Sequence, residues 1–506
     1  MKTKGSLRSR LYFLAMVGGC LSSLAFGARP PVAAVHPDSM GPVLFWVAFI
    51  LFLALIGRYL ASRLGQPGVL GELLIGVLIG NVGYAYGMPL FLILREGSSF
   101  NSLIQDMFHF LPLEEVLGRP VQALMNTSLL DATKHYMTLE NAIQMLAILQ
   151  SKQGPSWLKV SYILDVFSHF GVIFLLFMAG LESSVEELKQ TGWESLRVAC
   201  LGVLLPIILG FAITRALIPM ASYQSLLFVG ATLSATSVGI TARVLSEMKQ
   251  LQTREARTIL GAAVIDDILG LILLAIISAF VVQGSFDLLL VGRIFVTAFL
   301  FFVGVFTMGP WLLRRMIQFF DAFLYPWESK LFTSFLFLML LAWLATTIEL
   351  NAIIGAFSAG LILQDNFFAD NETNKDIAIE ERPLSIRDLL RSLESILAPL
   401  FFILVGIQVK LETFMNSQVL LIAAGLLVAA IAGKLFAGFG AKKQDDRWLI
   451  GIGMLPRGEV GLIFASIGKS LQVISNELFS AIILMVIVTT FMTPLLLKAR
   501  YTFRRV

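Results

Sequence analysis

Residues 261–276 read GAAVIDDILGLILLAI, an apolar run broken only by the adjacent carboxylates Asp266 and Asp267. No other charge lies between Arg257 and Asp287. At about 1.5 Å per residue, a helix over this stretch spans a hydrocarbon core of about 30 Å with both acids near its middle. An acid facing lipid there costs on the order of 2.5–3.5 kcal/mol on insertion scales. Two in a row therefore point to a bundle interior or a wet path, where intramembrane acids mark ion routes.

The whole chain fits that reading. Of its 506 residues 57% are hydrophobic and 14% charged, and the mean hydropathy is +0.82. A soluble domain averages roughly 45–50% and about 25%. Apolar windows long enough to span recur over nearly the full length, which makes this an all-α polytopic membrane protein. Thirteen spans are expected, at 40–60, 68–85, 168–181, 193–217, 221–247, 255–282, 286–308, 330–350, 353–364, 391–409, 417–441, 448–470 and 478–497. The net charge of +4 then reports topology and not a nucleic-acid partner. With residue 40 outside, the loops that should face the cytoplasm hold Arg58, Arg63, Lys249, Arg254, Arg257, Arg314, Arg315, Lys330, Lys442, Lys443 and Arg447. The tail 498–506 adds Lys498, Arg500, Arg504 and Arg505, while the short opposite loops carry almost no charge. The expected location is the bacterial inner membrane, with the N-terminus outside and the C-terminus cytoplasmic.

Ahead of the first span, Lys2, Lys4, Arg8 and Arg10 precede the apolar stretch Leu11–Leu24 and a small-x-small site at Ala25–Gly27. Residues 1–27 read as a signal peptide, with an uncleaved extra helix as the alternative. A lipobox-like VGGC ends at Cys20, but its apolar run is too short; with Cys200 alone besides, neither a disulfide framework nor a metal site is implied. Two connections are long: an external insertion, 86–167, and a charged cytoplasmic loop, 365–391. Both read first as solvated connectors.

The chain also resembles itself. GVLGELLIGVLIG (68–80) resembles AIIGAFSAGLIL (352–363), and GVIFLLFMAGLE (171–182) resembles APLFFILVGIQV (398–409). Six spans precede 286–308 and six follow it, so an odd linker helix inverts the second half against the first. Inverted repeats are a mark of secondary transporters, whose sites lie near the midplane at broken helices. The fifth span of each half is interrupted. ATLSATSVGITARVL (231–245) contains Ser234, Thr236, Ser237 and Gly239; GMLPRGEVGLIFA (453–465) contains Pro456, Gly458, Gly461 and the charges Arg457 and Glu459. Proline removes a backbone donor, and Gly, Ser and Thr tolerate or re-satisfy freed backbone groups.

Neighbours on a helix point about 100° apart, so Asp266 and Asp267 cannot share a face. One can pair with a buried cation while the other faces water and ions. The candidate cation is Lys434, in VAAIAGKLFAGFG. Arg457 and Glu459 can bridge each other, anchor a half-helix end or assist cation binding. Glu72 and Glu349 read as structural, near span ends, and Arg293 as a cap or interface charge. The four histidines, His36, His109, His135 and His169, lack metal-ligand spacing. No nucleophile constellation or P-loop stands out, and the short tail leaves no room for a nucleotide-binding regulatory domain. An ATP-driven pump, a membrane hydrolase and a bound cofactor are not expected.

GAAVIDDILGLI, LSATSVGITARVL, QPGVLGELLIGVLIGN, GVIFLLFMAGLE and PRGEVGLIFA together resemble the second branch of the cation/proton antiporter superfamily. The likeness is to bacterial thirteen-helix sodium/proton antiporters and, beside them, glutathione-gated potassium efflux systems. It implies a core domain with two crossed, unwound helices, a dimerisation domain in a homodimer, and an elevator-like movement. It also implies that Asp267 binds the ion or proton, that Asp266 pairs with Lys434, and that Thr236 and Ser237 line the site. Potassium efflux systems usually carry Gln-Asp and a large nucleotide-binding tail; Asp-Asp without such a tail favours exchange of Na⁺ or Li⁺ for H⁺. K⁺/H⁺ antiport or K⁺ efflux is the alternative, and a channel or purely structural membrane protein the reading from another class.

Overall fold

The computed structural model describes residues 40–96, 148, 151, 153–182, 192–250, 253–283, 288–348, 350–363, 367–368 and 385–505. The expected signal peptide, most of the 86–167 insertion and the 365–391 loop, His36, His109, His135 and Glu349 lie outside them. From Pro42 onward the described residues belong to one compact unit, Pro42–Val506. Ten helices among the described residues are long and apolar enough to cross a membrane, and no strand occurs among them.

In chain order the helices are α1 (Gly41–Arg63), α2 (Gly68–Ala85), α3 (Pro89–Glu96), α4 (Gly154–Glu182), α5 (Gly192–Leu217), α6 (Tyr223–Ser234), α7 (Val238–Glu247) and α8 (Arg254–Gln283). There follow α9 (Leu288–Asp321), α10 (Pro326–Thr347), α11 (Ala352–Ile362), α12 (Ile386–Ile407), α13 (Ser417–Ala437), α14 (Arg447–Gly453), α15 (Glu459–Ser470) and α16 (Asn476–Arg505). Side chains start several of them. Ser222, Asn351, Asn416 and Asp446 each accept a backbone N–H of the first turn, and Ser385 with Asp388 forms a capping box.

Several helices outrun their apolar windows. Residues 154–167, read from hydropathy as the end of the insertion, are the first turns of α4, and Pro89–Glu96 is a helix of its own. Helix α9 runs to Asp321 instead of 308, α12 begins at Ile386 inside the expected loop, and α16 continues through most of the expected tail. Hydropathy marks where a helix meets hydrocarbon; its polar ends can continue past the roughly 30 Å core.

Packing falls into two sets. In the first, α2 lies against α12, α4 against α11 and α12, and α10 against α11. In the second, α5 lies against α6, α8 and α13, α6 against α15, and α13 against α16. Glycines of the self-similar segments make the first set close. A Cβ at Gly406 would fall 2.3 Å from the Leu73 carbonyl oxygen, and one at Gly360 2.0 Å from that of Phe177. Without a hydrophobic drive between helices in lipid, such backbone approach is how they gain contact.

Polar clusters tie each end of the bundle. At one end Arg254 bridges Glu194 at 3.1 Å and Asp445 at 3.2 Å, and Arg500 holds Asp446 at 2.9 Å. Burial pushes the Asp445 carboxyl above its usual range, against the opposing pull of Arg254. At the other end the Arg95 guanidinium bonds Asn81 Oδ1 at 2.9 Å, pairs with Glu412 and stacks 4.0 Å from the Tyr84 ring centroid. Lys469 Nζ lies nearby, 3.4 Å from the Arg95 carbonyl and 3.5 Å from that of Gln408.

Candidate functional site

Two helices stop and restart within the second set. Between α6 and α7 the backbone is extended, with Ala235 at φ −55° and ψ 137°. Between α14 and α15 it passes through Pro456, Arg457 and Gly458. The two gaps meet. The Ser237 N–H donates to the Pro456 carbonyl at 2.8 Å, and the Thr241 hydroxyl to the Gly453 carbonyl at 2.7 Å. A Cβ at residue 458 would fall 2.5 Å from Ser237 Oγ, so the crossing needs glycine there.

A helix that stops leaves its last carbonyls unpaired and the negative end of its dipole exposed. Arg457 supplies the answer for α6. Fully buried, its guanidinium donates to the Ser234 carbonyl at 3.0 Å and to that of Ala235, and reaches the Ala430 carbonyl at 3.4 Å. The Thr490 hydroxyl of α16 in turn donates to the Arg457 carbonyl.

Ala430 is one turn before Lys434 on α13, which joins the crossing to the ion pair. Lys434 Nζ lies 3.1 and 3.2 Å from the two carboxylate oxygens of Asp266, and both residues are buried, at 0% and 1% exposure. Helix α5 makes the space. A Cβ at Gly202 would sit 3.2 Å from Lys434 Nζ and 3.8 Å from Asp266 Oδ1, and a turn later Pro206 packs on Gly433. Asp267 occupies the neighbouring face of α8 and is also buried. Helix α8 packs against α6 and α14, each of which ends in one of the interruptions.

Thr236 and Ser237 are both 1% exposed in the α6–α7 gap, and the Thr236 hydroxyl oxygen has no hydrogen-bond partner among the described residues. Buried hydroxyls are ordinarily paired, so one left open at a helix break is a free oxygen donor. Carboxylate, hydroxyl and freed carbonyl oxygens are hard donors of the kind alkali cations accept, and a carboxylate also takes a proton.

A site of this make-up, on crossed broken helices in a membrane bundle, can be placed by comparison. The family model described as "Sodium/hydrogen exchanger, transmembrane" matches residues 49–499. The chain belongs to this family. It is 33% identical over 475 residues to the high-affinity Na(+)/H(+) antiporter NhaS3 of Synechocystis, covering 92% of this chain and 91% of that one. It is 29% identical to the Na(+)/H(+)-K(+) antiporter GerN of Bacillus cereus, over 91% and 96% of the two chains. Among solved structures, the sodium proton antiporter MjNhaP1 of Methanocaldococcus jannaschii superposes with a TM-score of 0.54 at 16% identity, covering 92% and 97%. That likeness carries the fold.

Within this exchanger frame the structure brings Asp266 to Lys434, and Arg457 to the α6 end beside Thr236 and Ser237. Glu459 opens α15, but its side chain lies outside the described residues. Glu72 is elsewhere, buried and bridged to Arg58 at 2.7 Å. His169 is exposed and bonds the Asp165 carbonyl one turn back at 2.8 Å. Three supporting residues escaped the reading of the sequence: Gly202, Gly433 and Thr490. The available signal was Gly202 followed by Pro206 one turn on, a small-residue notch in an otherwise bulky span.

Proposed function

We propose that this chain exchanges Na⁺ or Li⁺ for H⁺ across the bacterial inner membrane, serving pH and sodium homeostasis, with Asp267 as the group on which the two ions compete. The observation that carries the reading is the division of labour in the acid pair. Lys434 holds Asp266, while Asp267 lies on the next face of a helix packed beside both interruptions, one of which offers the open Thr236 hydroxyl.

The chemistry follows from one carboxylate serving two ions in turn. Na⁺ coordinates only the ionised form, so a proton and a cation exclude each other. Thr236 and Ser237 add hydroxyl oxygens beside that carboxylate, and Arg457 fixes the gap they sit in. An empty, charged site crosses the hydrocarbon at high cost, which keeps the two fluxes coupled. Under an inward proton-motive force, protons enter and Na⁺ leaves.

The rest of the proposal concerns architecture. The ten long helices, α11 and the two interrupted pairs make thirteen passes in two inverted halves about α9. The packing supports this, since α2 meets α12 as α11 meets α4, and α5 meets α8 as α13 meets α16. The basic end carrying Arg254, Lys442 and Arg500 is assigned to the cytoplasm by the charge bias of its loops. The second packing set is the moving core, and the first set is the scaffold of a homodimer.

The test is dequenching of a pH-sensitive dye in proteoliposomes, scanned over Na⁺, Li⁺ and K⁺. Dequenching by Na⁺ and Li⁺ supports the proposal. A response to K⁺ alone moves the chain to the potassium reading, K⁺ being an ion that the name of GerN includes. Current without proton counter-flow would make it a channel.

A further inference from the structure

Helix α16 lies along the second broken helix from one end to the other, packing on both α14 and α15. Four contacts fix its register. Arg500 holds the Asp446 carboxylate, at the start of α14, with two bonds of 2.9 and 3.0 Å. The Thr490 hydroxyl donates to the Arg457 carbonyl in the break. Val486 Cγ2 lies 3.8 Å from where a Cβ of Gly461 would stand, in the first turn of α15. The Phe479 ring centroid lies 4.6 Å from Lys469 Nζ, in the last turn. From contact to contact the broken helix advances 11, 4 and 8 residues, and α16 runs back 10, 4 and 7. An unbroken helix therefore runs antiparallel to the broken one and keeps step with it across the interruption.

This register sets Thr490 opposite the break. A threonine inside a helix commonly donates to the carbonyl one turn back. Thr489 and Thr493 do so, to Met485 at 2.9 Å and to Thr489 at 2.7 Å. The Thr490 hydroxyl, buried like theirs, donates out of its own helix instead. Its acceptor needs it. Helix α15 starts at Glu459 with Gly458 as N-cap, so the Arg457 carbonyl lies one residue ahead of the helical ladder. A buried carbonyl there has to be paired from elsewhere. The pairing fixes a peptide on which the whole crossing turns. One residue back, the Pro456 carbonyl accepts the Ser237 N–H, while the Arg457 side chain holds the carbonyls of Ser234 and Ala235. Thr236 lies between those two anchors.

We propose that Thr490 is a positioning residue for cation binding. Through the Arg457 carbonyl it sets the Arg457 peptide, and through that peptide it sets where Thr236 and Ser237 stand relative to Asp267. Arg500 and the apolar contacts of α16 hold the register that puts Thr490 there. The inference rests on the exchange proposed above, with Asp267 as the shared site. Thr490 acts on the ion only through Arg457 and the α6–α7 gap. Its loss should therefore weaken the hold on the cation and spare the steps that follow binding.

The experiment uses the full chain in proteoliposomes, with Na⁺/H⁺ exchange measured against Na⁺ concentration. Thr490→Val keeps the shape and drops the donor; it should raise the apparent KM for Na⁺ about tenfold, with kcat within about twofold of the parent. Thr490→Ser keeps the hydroxyl and should stay within about twofold of the parent in both. Arg500→Gln breaks the bridge at the far end of α16; it should lower the melting temperature in detergent and leave KM within about twofold. A parental KM in Thr490→Val overturns the proposal. So does an equal rise of KM in Arg500→Gln, which would make Thr490 one brace among several. If Thr490→Val does not insert, Thr490→Cys puts a weak donor in place of the hydroxyl and should raise KM at least about threefold. A parental KM there overturns the proposal equally. Absence of Na⁺/H⁺ exchange in the unmodified chain overturns the functional reading instead, and that failure is seen before any substitution is made.

Discussion

The Ser237 amide donates to the Pro456 carbonyl at 2.8 Å, so the two broken helices are joined backbone to backbone at their breaks. Each break frees groups that the other can use, which a single kinked helix could not arrange. Gly458 lets them approach, because any Cβ there meets Ser237 Oγ at 2.5 Å and Ser237 Cβ at 2.7 Å. Gly458→Ala should cost about 1–3 kcal/mol by overpacking and reduce exchange at least tenfold in an inserted protein. Ser237→Gly on that background removes the clashing side chain and should restore thermal stability in detergent. Stability left unchanged by the second substitution would separate Gly458 from the crossing.

The two acids should respond differently to amide substitution. Asp267→Asn should abolish exchange with thermal stability near that of the parent. Asp266→Asn or Lys434→Met leaves a buried charge without its partner and should cost about 3–5 kcal/mol. The double variant should recover much of that loss. Residual exchange above a few per cent in Asp267→Asn would remove that residue from the mechanism.

Voltage distinguishes the roles left to Lys434. If the ammonium releases its proton when Na⁺ arrives, two protons move for each Na⁺ and one net charge crosses per cycle. That couples transport to potential at about 2.3 kcal/mol per 100 mV. Rates in proteoliposomes clamped with valinomycin and K⁺ should then depend on voltage, and Lys434→Met should be voltage-indifferent or inactive. A parent protein indifferent to voltage would leave Lys434 as a structural partner of Asp266.

Competition also sets the pH profile. The apparent KM for Na⁺ should rise as pH falls, by about tenfold per pH unit for each proton that must leave. A slope of log KM against pH near −2 matches the two-proton cycle. A flat profile would contradict competition at a shared carboxylate.

The two parts of the insertion should differ in how far the fold depends on them. Helix α3 carries Arg95, whose guanidinium holds Asn81 and Glu412, and α3 packs on α4. Replacing residues 97–147 by a short flexible linker should preserve exchange. Extending the deletion through Pro89–Glu96 should destabilise the protein, as read by detergent melting, because Asn81 and Glu412 lose their partner. Equal stability for the two deletions would make the Arg95 cluster incidental.

Hydropathy and charge bias were enough to read the helical membrane class and where most spans lie, since Leu, Ile, Val and Phe respond to lipid one residue at a time. That one of the two acids meets Lys434 was also within reach, because an interior lysine in a span demands a carboxylate; that the acid is Asp266 was implied by the family resemblance. What stayed hidden depends on contacts between distant residues. Nothing local to Gly202 announces that Lys434 will face it, and nothing near Arg457 says that its hydrogen bonds will go to carbonyls at Ser234 and Ala235. The polar extensions of α4, α9 and α16 were missed because hydropathy falls silent where a helix leaves lipid.

The Lys434–Asp266 pair also bears on biogenesis. Its members are 168 residues apart, so at about 5–20 residues per second α8 enters the bilayer roughly 10–30 s before α13 exists. During that interval the nascent chain holds two intramembrane acids with no lysine to meet them, offset only by the leucines and isoleucines around them. The second half of the chain therefore completes the first, and the pair can form only once α13 has been made. Quality-control proteases that remove orphaned membrane charges should shorten the pulse-chase half-life of Lys434→Met, and Asp266→Asn on that background should lengthen it again.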